Sequence, residues 1–215
     1  PETNDPLAIT KFNQISGTET CFTNLADLDS IIRTLCLAFE AFKKNFPQTP
    51  YLALASKHGN ACGFGADWES PEVALNKALF GNPKVIWGGE FICNFPITDS
   101  LAEHLYQNHI RKKKLGSEWW MLDLIAAPSF SSEACAILGR RNERRLMANQ
   151  YLAEPVFLNF GLSYRPVRGG FLRQPPANYI LDFNEVEVCG QNFSEEAMGS
   201  LILAWAVSWS SNMGG

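Results

Sequence analysis

YLALASKHGNACGFG, residues Tyr51–Gly65, is the stretch around which the chain is organised. It predicts an apolar strand, Tyr51–Ser56, that ends on Lys57 and His58 and runs into a glycine-rich loop. Ligands of α/β sheets bind outside the carboxyl ends of strands, which is where this pair would lie. We therefore expect the functional site at this corner, with the rest of the chain as its scaffold.

The chemistry of Lys57 and His58 suits catalysis on a small molecule. Neighbouring residues of a regular strand point to opposite faces, so both reach one ligand only where the strand has ended. The glycines Gly59, Gly63 and Gly65 favour such a turn. Histidine, with an ordinary pKa of about 6.5, can act as a general base, and lysine can stabilise a developing negative charge. The alternative is that Lys57 is a surface lysine and His58 a structural histidine that caps the loop. The residue types alone do not decide between this interpretation and the catalytic one.

Composition limits the class of protein. The chain has 215 residues, of which 46% are hydrophobic and 19% charged, so it can bury a core. A net charge of −4 gives no electrostatic case for nucleic acid. Six cysteines without a CxxC pair indicate reduced thiols of a cytoplasmic protein. No signal peptide is visible, and no apolar run reaches the roughly 18–20 residues of a membrane helix, so we expect no membrane partner.

Hydrophobic periodicity and capping residues predict alternating helices and strands. The predicted helices are Leu25–Asn45, Pro71–Phe80, Thr98–Leu115, Ser131–Leu138 and Ser194–Trp209. The predicted strands are Leu7–Gln14, Tyr51–Ser56, Lys84–Trp87, Glu90–Asn94, Trp119–Ala127, Arg145–Asn149, Pro155–Phe160 and Arg165–Gln174. This order indicates a layered α/β fold with a mixed sheet flanked by helices. No repeat or linker divides the chain, so residues 1–215 are predicted to form a single domain.

Other candidate sites are weaker. His104 and His109 are five residues apart on a predicted helix, which is not the spacing of one face, and no Cys/His set has the spacing of metal ligands. We therefore expect no metal. Arg165, Arg168 and Arg173 surround a diglycine and could hold a phosphate, although exposed arginines of a strand are the default.

Several motifs, in order along the chain, resemble the AICAR transformylase family. KHGNACG at Lys57–Gly63 resembles the family motif KHxNPCG, and NPKVIWGGEFICN at Asn82–Asn94 resembles DPxSAFGGxxAxN. Similar agreement is found for Gly17–Ser30 with GKELSYNNxxDxDA, Asp123–Cys135 with ExxIAPxxxxEAL, Arg165–Gln174 with RxxxGGxLxQ, and Ala204–Asn212 with AWKxxKxxKSN. The resemblance covers about residues 11–212.

The resemblance implies a cytidine-deaminase-like fold without zinc, as the first of two such halves. It implies transfer of a formyl group from 10-formyltetrahydrofolate, a co-substrate, to the amine of the ribotide AICAR. The catalytic residues would be His58 as base, Lys57 as stabiliser of the oxyanion, and Asn212. The substrate-binding residues would be Gly59, Asn60, Gly63, Trp87, Gly88, Gly89, Arg168, Gly169 and Gly170. The family's intertwined dimer implies a homodimer.

The chain also departs from the family pattern. The motif proline is Ala61, the serine of SAFGG is Val85, its phenylalanine is Trp87, and the lysines of the last helix are absent. The upstream RYGxNPHQ segment, the cyclohydrolase domain and the second half are not in this sequence. Three hypotheses therefore stand: a shortened AICAR transformylase-like enzyme, a transferase with a different amine substrate in specialised metabolism, and a non-catalytic ligand-binding or assembly protein that keeps the fold.

Overall fold

A six-stranded mixed sheet forms the centre of the computed structural model, which describes residues 4–106, 122–156, 162–176, 178–187, 189 and 193–211. The spatial order of the strands is β1-β6-β5-β4-β2-β3. The strands are β1 Asn13–Ser16, β2 Tyr51–Lys57, β3 Asn60–Asp67, β4 Gly89–Cys93, β5 Leu122–Ala127 and β6 Arg145–Ala148. Strands β4, β5 and β6 are parallel, whereas β1 runs antiparallel to β6, and β2 antiparallel to both β3 and β4. The predicted mixed sheet is confirmed.

Helices cover both faces of the sheet. One face carries α1, Phe22–Asn45, and the other carries α2 Pro71–Gly81, α3 Asp99–Tyr106 and α4 Ser132–Leu138. The last helix, α5 Glu195–Ser210, packs on α1 and on the edge strand β3. Because α1 lies between the sheet and α5, it is buried on more than one side, which its near-continuous run of buried residues reflects. The layered α/β architecture predicted from the order of elements is confirmed.

Strand β2 shows how the sheet divides the core. Leu52 and Leu54 pack into the cluster on the α1 side, and Ala53 and Ala55 pack into the cluster on the α2 side. A strand covered on both faces is expected to be a continuous apolar run, as this one is. Its last two residues, Ser56 and Lys57, therefore point to the α1 face and the α2 face respectively.

The glycine-rich segment after His58 is a strand and not the predicted loop. It forms β3, which pairs with β2 along its whole length. A Cβ atom on Gly63 would lie 2.0 Å from the carbonyl oxygen of Ala78, and one on Gly65 would lie 2.0 Å from that of Ala74. The glycines let the backbone of α2 approach the strand closely, a role that a turn prediction from composition does not distinguish.

Other boundaries also differ from the predictions. Residues 84–87 form turns and not a strand, and the predicted strand Leu7–Gln14 is a 3₁₀-helix, Ile9–Lys11, followed by β1. The stretch predicted as one strand over Arg165–Gln174 is a hairpin of β7 Ser163–Val167 and β8 Gly170–Gln174, whose ten residues are all exposed.

Some predicted elements lie partly outside the residues that the structure describes. Only the first part of the predicted helix Thr98–Leu115 is described, as α3, and the strand predicted from Trp119 is described from Leu122. His109 and most of the predicted strand Pro155–Phe160 lie outside the described residues. Among the helices that are described, none is long and apolar enough to cross a membrane.

Candidate functional site

Lys57 and His58 lie at the hairpin between β2 and β3. Lys57 pairs with Asn60, which leaves His58 and Gly59 as a two-residue turn with φ angles of 54° and 69°. Positive φ at both central positions is typical of a type I′ turn, which fits the twist of the flanking strands. The side-chain amide of Asn60 donates a 2.9 Å hydrogen bond to the carbonyl oxygen of His58. The imidazole of His58 is thus carried on a tight turn, exposed at the surface.

Lys57 ends β2 and His58 follows it, so the pair lies at the carboxyl end of that strand, as expected. Because β2 runs antiparallel to β4, this end of β2 lies beside Gly89 and Leu122, where the parallel strands β4 and β5 begin. The start of α1 lies at this same edge and supplies most of the contacts to the turn.

Lys57 and Trp87 are joined although 30 residues separate them. The ammonium group of Lys57 donates a 2.7 Å hydrogen bond to the backbone carbonyl of Trp87, whose side chain is 53% exposed. Gly88 has a φ of 69°, and a Cβ on it would meet only Asp123 Oδ1, at 3.8 Å. Gly89, by contrast, is packed, because a Cβ there would lie 2.1 Å from the carbonyl oxygen of Ser56. A side chain at Gly88 would thus find open space, whereas one at Gly89 would clash with the backbone of β2.

The first turns of α1 contact the His58–Gly59 turn. The hydroxyl of Ser30 donates a 2.9 Å hydrogen bond to the carbonyl oxygen of Gly59. The carboxylate of Asp27 lies beside the same turn, since a Cβ atom on Gly59 would lie 3.5 Å from its Oδ1. Asn24, Asp27 and Ser30 are spaced by three residues, so they share one face of the helix. This face is the support for the turn.

Three carboxyl groups from separate elements meet beside Lys57 and His58. Glu90 of β4 is only 3% exposed, and burial together with the charges of Asp27 and Asp123 raises its pKa to about 8. Burial also raises the pKa of Asp27, opposed mainly by the charge of His58. Burial raises the pKa of Asp123, opposed by the charges of Arg145, Lys57 and Arg144.

The acidic cluster was not identified from the sequence. Its members are Asp27, Glu90 and Asp123, which lie far apart in the chain and have no common spacing. The one local signal is Glu90 itself, a charged residue directly after a diglycine and inside the apolar strand GEFIC. A buried carboxyl group in such a strand is unfavourable without a compensating neighbour, and it could have marked this position.

Oxygen atoms of three neighbouring strands are buried at this edge without a hydrogen-bond partner among the described residues. They are Ser56 Oγ of β2, Glu90 Oε2 of β4 and Asp123 Oδ1 of β5. Ser56 and Glu90 are direct neighbours across the β2–β4 pair. Buried polar atoms without a partner are rare in folded proteins, so these three mark this end of the sheet as a candidate contact for a ligand. Within the described ranges, no group of three or more His, Cys, Asp and Glu residues could hold a metal ion.

The structure brings together most of the residues predicted for the site. Lys57, His58, Gly59 and Asn60 form the turn, and the Trp87–Gly89 segment lies against Lys57. Gly63 lies three positions into β3, where packing on α2 accounts for it. Its predicted contact with substrate, like those of the other residues, stays a prediction.

Arg168, Gly169 and Gly170 form the turn of the exposed β7–β8 hairpin. No hydrogen bond or ion pair joins this hairpin to the His58 turn in the part of the chain that the structure describes. Asn212 lies outside the described residues. The end of α5 that precedes it is fixed on α1, since the hydroxyls of Ser210 and Thr34 are 2.6 Å apart.

Known proteins match this sequence over almost its whole length. The sequence model of the AICARFT/IMPCHase bienzyme family matches residues 2–212. The bifunctional purine biosynthesis protein PurH of Listeria monocytogenes serotype 4b is 30% identical over 201 residues, 93% of this chain and 34% of that protein. PurH of Anoxybacillus flavithermus is 27% identical over 205 residues, 95% of this chain and 35% of that protein. The chain thus spans about a third of the length of these relatives.

Proposed function

The chain belongs to the AICARFT/IMPCHase bienzyme family, and from this premise we propose that it is a one-carbon transferase of the AICAR transformylase type. It moves a formyl group from 10-formyltetrahydrofolate to the amine of AICAR or of a related substrate. The observation that carries the proposal is the 2.7 Å hydrogen bond from Lys57 to the backbone carbonyl of Trp87, because the resemblance implies that both residues contact the substrate. A homodimer completes the site in this proposal.

The residues at the turn can perform the steps of such a transfer. His58 takes a proton from the amine as its nitrogen attacks the formyl carbon, and returns that proton to the folate nitrogen when the old C–N bond breaks. Lys57 stabilises the negative charge that develops on the formyl oxygen. One N–H of its ammonium group donates to the carbonyl oxygen of Trp87, and the other two N–H groups can donate to the formyl oxygen. Bond formation, bond cleavage and proton transfer balance without a metal or redox partner.

The acidic cluster favours a second candidate, a transferase with a different amine substrate. Asp27, Glu90 and Asp123 surround the corner, and buried oxygen atoms there have no donor among the described residues. Such a surface suits an acceptor rich in N–H groups or positively charged. An anionic acceptor would need its negative group held away from these carboxyls, since like charges repel at short range.

Calorimetry with two probes separates the alternatives. The probes are AICAR and 10-formyltetrahydrofolate, each titrated into wild-type protein and into Lys57→Ala, with the exposed Lys84→Ala as the matched control. Binding of both probes to all three proteins, with formyl transfer lost in Lys57→Ala alone, supports AICAR transformylase chemistry. Binding of the folate alone supports a different amine acceptor. Binding of neither contradicts the transferase and supports a non-catalytic protein that keeps the fold.

A further inference from the structure

The C-terminal end of α5 and the His58–Gly59 turn are connected by hydrogen bonds that pass through α1. We propose that Thr34 and Ser210 are positioning residues, whose hydroxyl groups hold these two parts of the site in a fixed relation. The proposal rests on the proposed function in one respect: the resemblance assigns a catalytic role to Asn212, which follows Ser210 by two residues in the sequence. Thr34 and Ser210 are both buried, so they act through their neighbours and not on the substrate.

The connection consists of three consecutive contacts. The hydroxyl of Ser30 donates a 2.9 Å hydrogen bond to the carbonyl oxygen of Gly59, at the turn. The hydroxyl of Thr34, about one helical turn further along α1, donates a 3.3 Å bond to the carbonyl oxygen of Ser30. The same hydroxyl lies 2.6 Å from that of Ser210, which is 176 residues away in the sequence. Because residues four apart share one face of a helix, the contacts lead from the turn, along one face of α1, to α5.

Two hydroxyl hydrogens serve the contacts around Thr34 and Ser210. Besides contacting each other, Thr34 Oγ1 reaches the carbonyl oxygen of Ser30 and Ser210 Oγ reaches that of Val207, at 3.3 Å in both cases. Each hydroxyl has a single hydrogen, so when one of the pair donates to the other, only one of the two backbone contacts can be made as well. The 2.6 Å contact is made in either arrangement, since one oxygen donates and the other accepts. The bond between α1 and α5 is therefore the constant part of the connection.

Burial makes this bond specific for one position of α5 along α1. Thr34 is 5% and Ser210 is 8% exposed, and Ile202 and Ala206 of the same helix belong to the apolar cluster on α1. Apolar contacts are non-directional, whereas a buried hydroxyl without a partner is unfavourable. A shift of α5 by one helical turn, about 5.4 Å, would separate the two hydroxyls. The pair thus fixes how far α5 reaches, and with it the point at which the chain leaves the helix.

Carbonyl carbon-13 NMR of Gly59 tests the connection from one end to the other. Its resonance reports the hydrogen bond at the turn, and we expect Ser210→Ala on α5 to shift it. In a Thr34→Val background, where the middle of the connection is missing, Ser210→Ala should cause no further shift. Ser200→Ala is the matched control, because this exposed serine of α5 donates its 3.0 Å hydrogen bond to a carbonyl of its own helix.

A double-mutant cycle of unfolding gives a second measurement, which needs no substrate. Thr34→Val and Ser210→Ala remove the same bond, so the double variant should lose less stability than the sum of the two single variants. Thr34→Val combined with Ser200→Ala should be additive, because no bond joins these two side chains among the described residues. An additive result for Thr34 and Ser210 would overturn the proposal.

Turnover relates the connection to the proposed function. We expect Ser210→Ala to lower kcat of formyl transfer about tenfold, the effect of one ordinary hydrogen bond, with KM unchanged. A merely structural pair would lower the melting temperature and leave kcat and KM per folded molecule unchanged, which would overturn the proposal, as would a Gly59 resonance that is the same in Ser210→Ala and in the wild-type protein. A wild-type protein that transfers no formyl group would refute the proposed function instead, and the Gly59 resonance and the mutant cycle would still decide whether the connection exists.

Discussion

At the scale of single residues, His58 combines an unusual backbone conformation with the proposed role of general base. Its φ of 54° is unfavourable for most side chains, and histidine is among the few types enriched there. A histidine that served only to fill this turn could be replaced by asparagine, since Asn-Gly is the preferred pair of type I′ turns. The turn therefore offers a way to separate the structural role of the side chain from its chemical role.

Replacement of His58 by asparagine should abolish transfer without unfolding the turn. We expect the rate of formyl transfer to fall about 10²- to 10⁴-fold, the contribution of a general base, with little change in substrate affinity. Measuring turnover and melting temperature on the same sample of His58→Asn checks both expectations. A purely structural His58 predicts unchanged activity per folded molecule in this variant, because asparagine fits the same turn.

Lys57 should behave as an oxyanion stabiliser. Lys57→Ala should lower the rate roughly 10²- to 10³-fold through the transition state, again with little change in affinity. Lys57→Arg should not restore it, because a planar guanidinium does not replace a compact ammonium that bonds the Trp87 carbonyl. Lys84→Ala is the control on the neighbouring loop. Equal losses of rate in Lys57→Ala and Lys84→Ala would contradict the role of Lys57 as oxyanion stabiliser.

Glu90 should make the stability of the protein depend on pH. Its pKa is about 8 in the folded protein against 4.5 ordinarily, so the folded state holds a proton that the unfolded state releases between these values. Stability is therefore unaffected below pH 4.5, falls as the pH rises, and the loss is complete above about 8. Glu90→Gln should remove this fall. Melting curves of both proteins at acid and alkaline pH measure the difference, and parallel curves would count against a raised pKa.

At the scale of elements, local patterns predicted the helices well. Ser70, Ser131 and Ser194 lie at predicted helix starts, and each accepts a backbone N–H of its helix, at 3.3, 3.0 and 3.2 Å. The strand β3 could not be predicted from composition, because glycine serves both turns and close packing, and only the position of α2 distinguishes them. The acidic cluster could not be predicted either, since strand order brings Glu90 and Asp123 together and the packing of α1 on the sheet adds Asp27.

Glycines of β3 should be needed for packing. Gly63→Ala places a Cβ 2.0 Å from the Ala78 carbonyl, so α2 must move, and we expect a loss of about 1–3 kcal/mol in the free energy of unfolding. Gly170→Ala is the control, because nothing lies within 4 Å of a Cβ there. Denaturant unfolding of the two variants measures the effect. Wild-type stability in Gly63→Ala would mean that this glycine is not required for packing.

At the scale of the whole molecule, the β7–β8 hairpin is the element least supported by the core. A two-stranded hairpin alone is only marginally stable in water, and this one exposes Tyr164, Phe171 and Leu172. It also carries Arg165, Arg168 and Arg173 in a chain whose net charge is −4, so the remaining surface is more acidic than the total suggests. Both features favour packing against an acidic partner, and a second copy of this chain is one.

Association through the hairpin is therefore the prediction for the assembled molecule. Phe171 is 73% exposed and lies beside Leu172, so one side chain projects from each face of β8. Light scattering should show a dimer or larger species for the wild-type protein and a monomer for the double variant Phe171→Asp, Leu172→Asp. Val73→Asp changes an exposed apolar residue of α2 and should leave the assembly unchanged. A monomeric wild-type protein would refute self-association, and a double variant that still dimerises would place the interface elsewhere on the molecule.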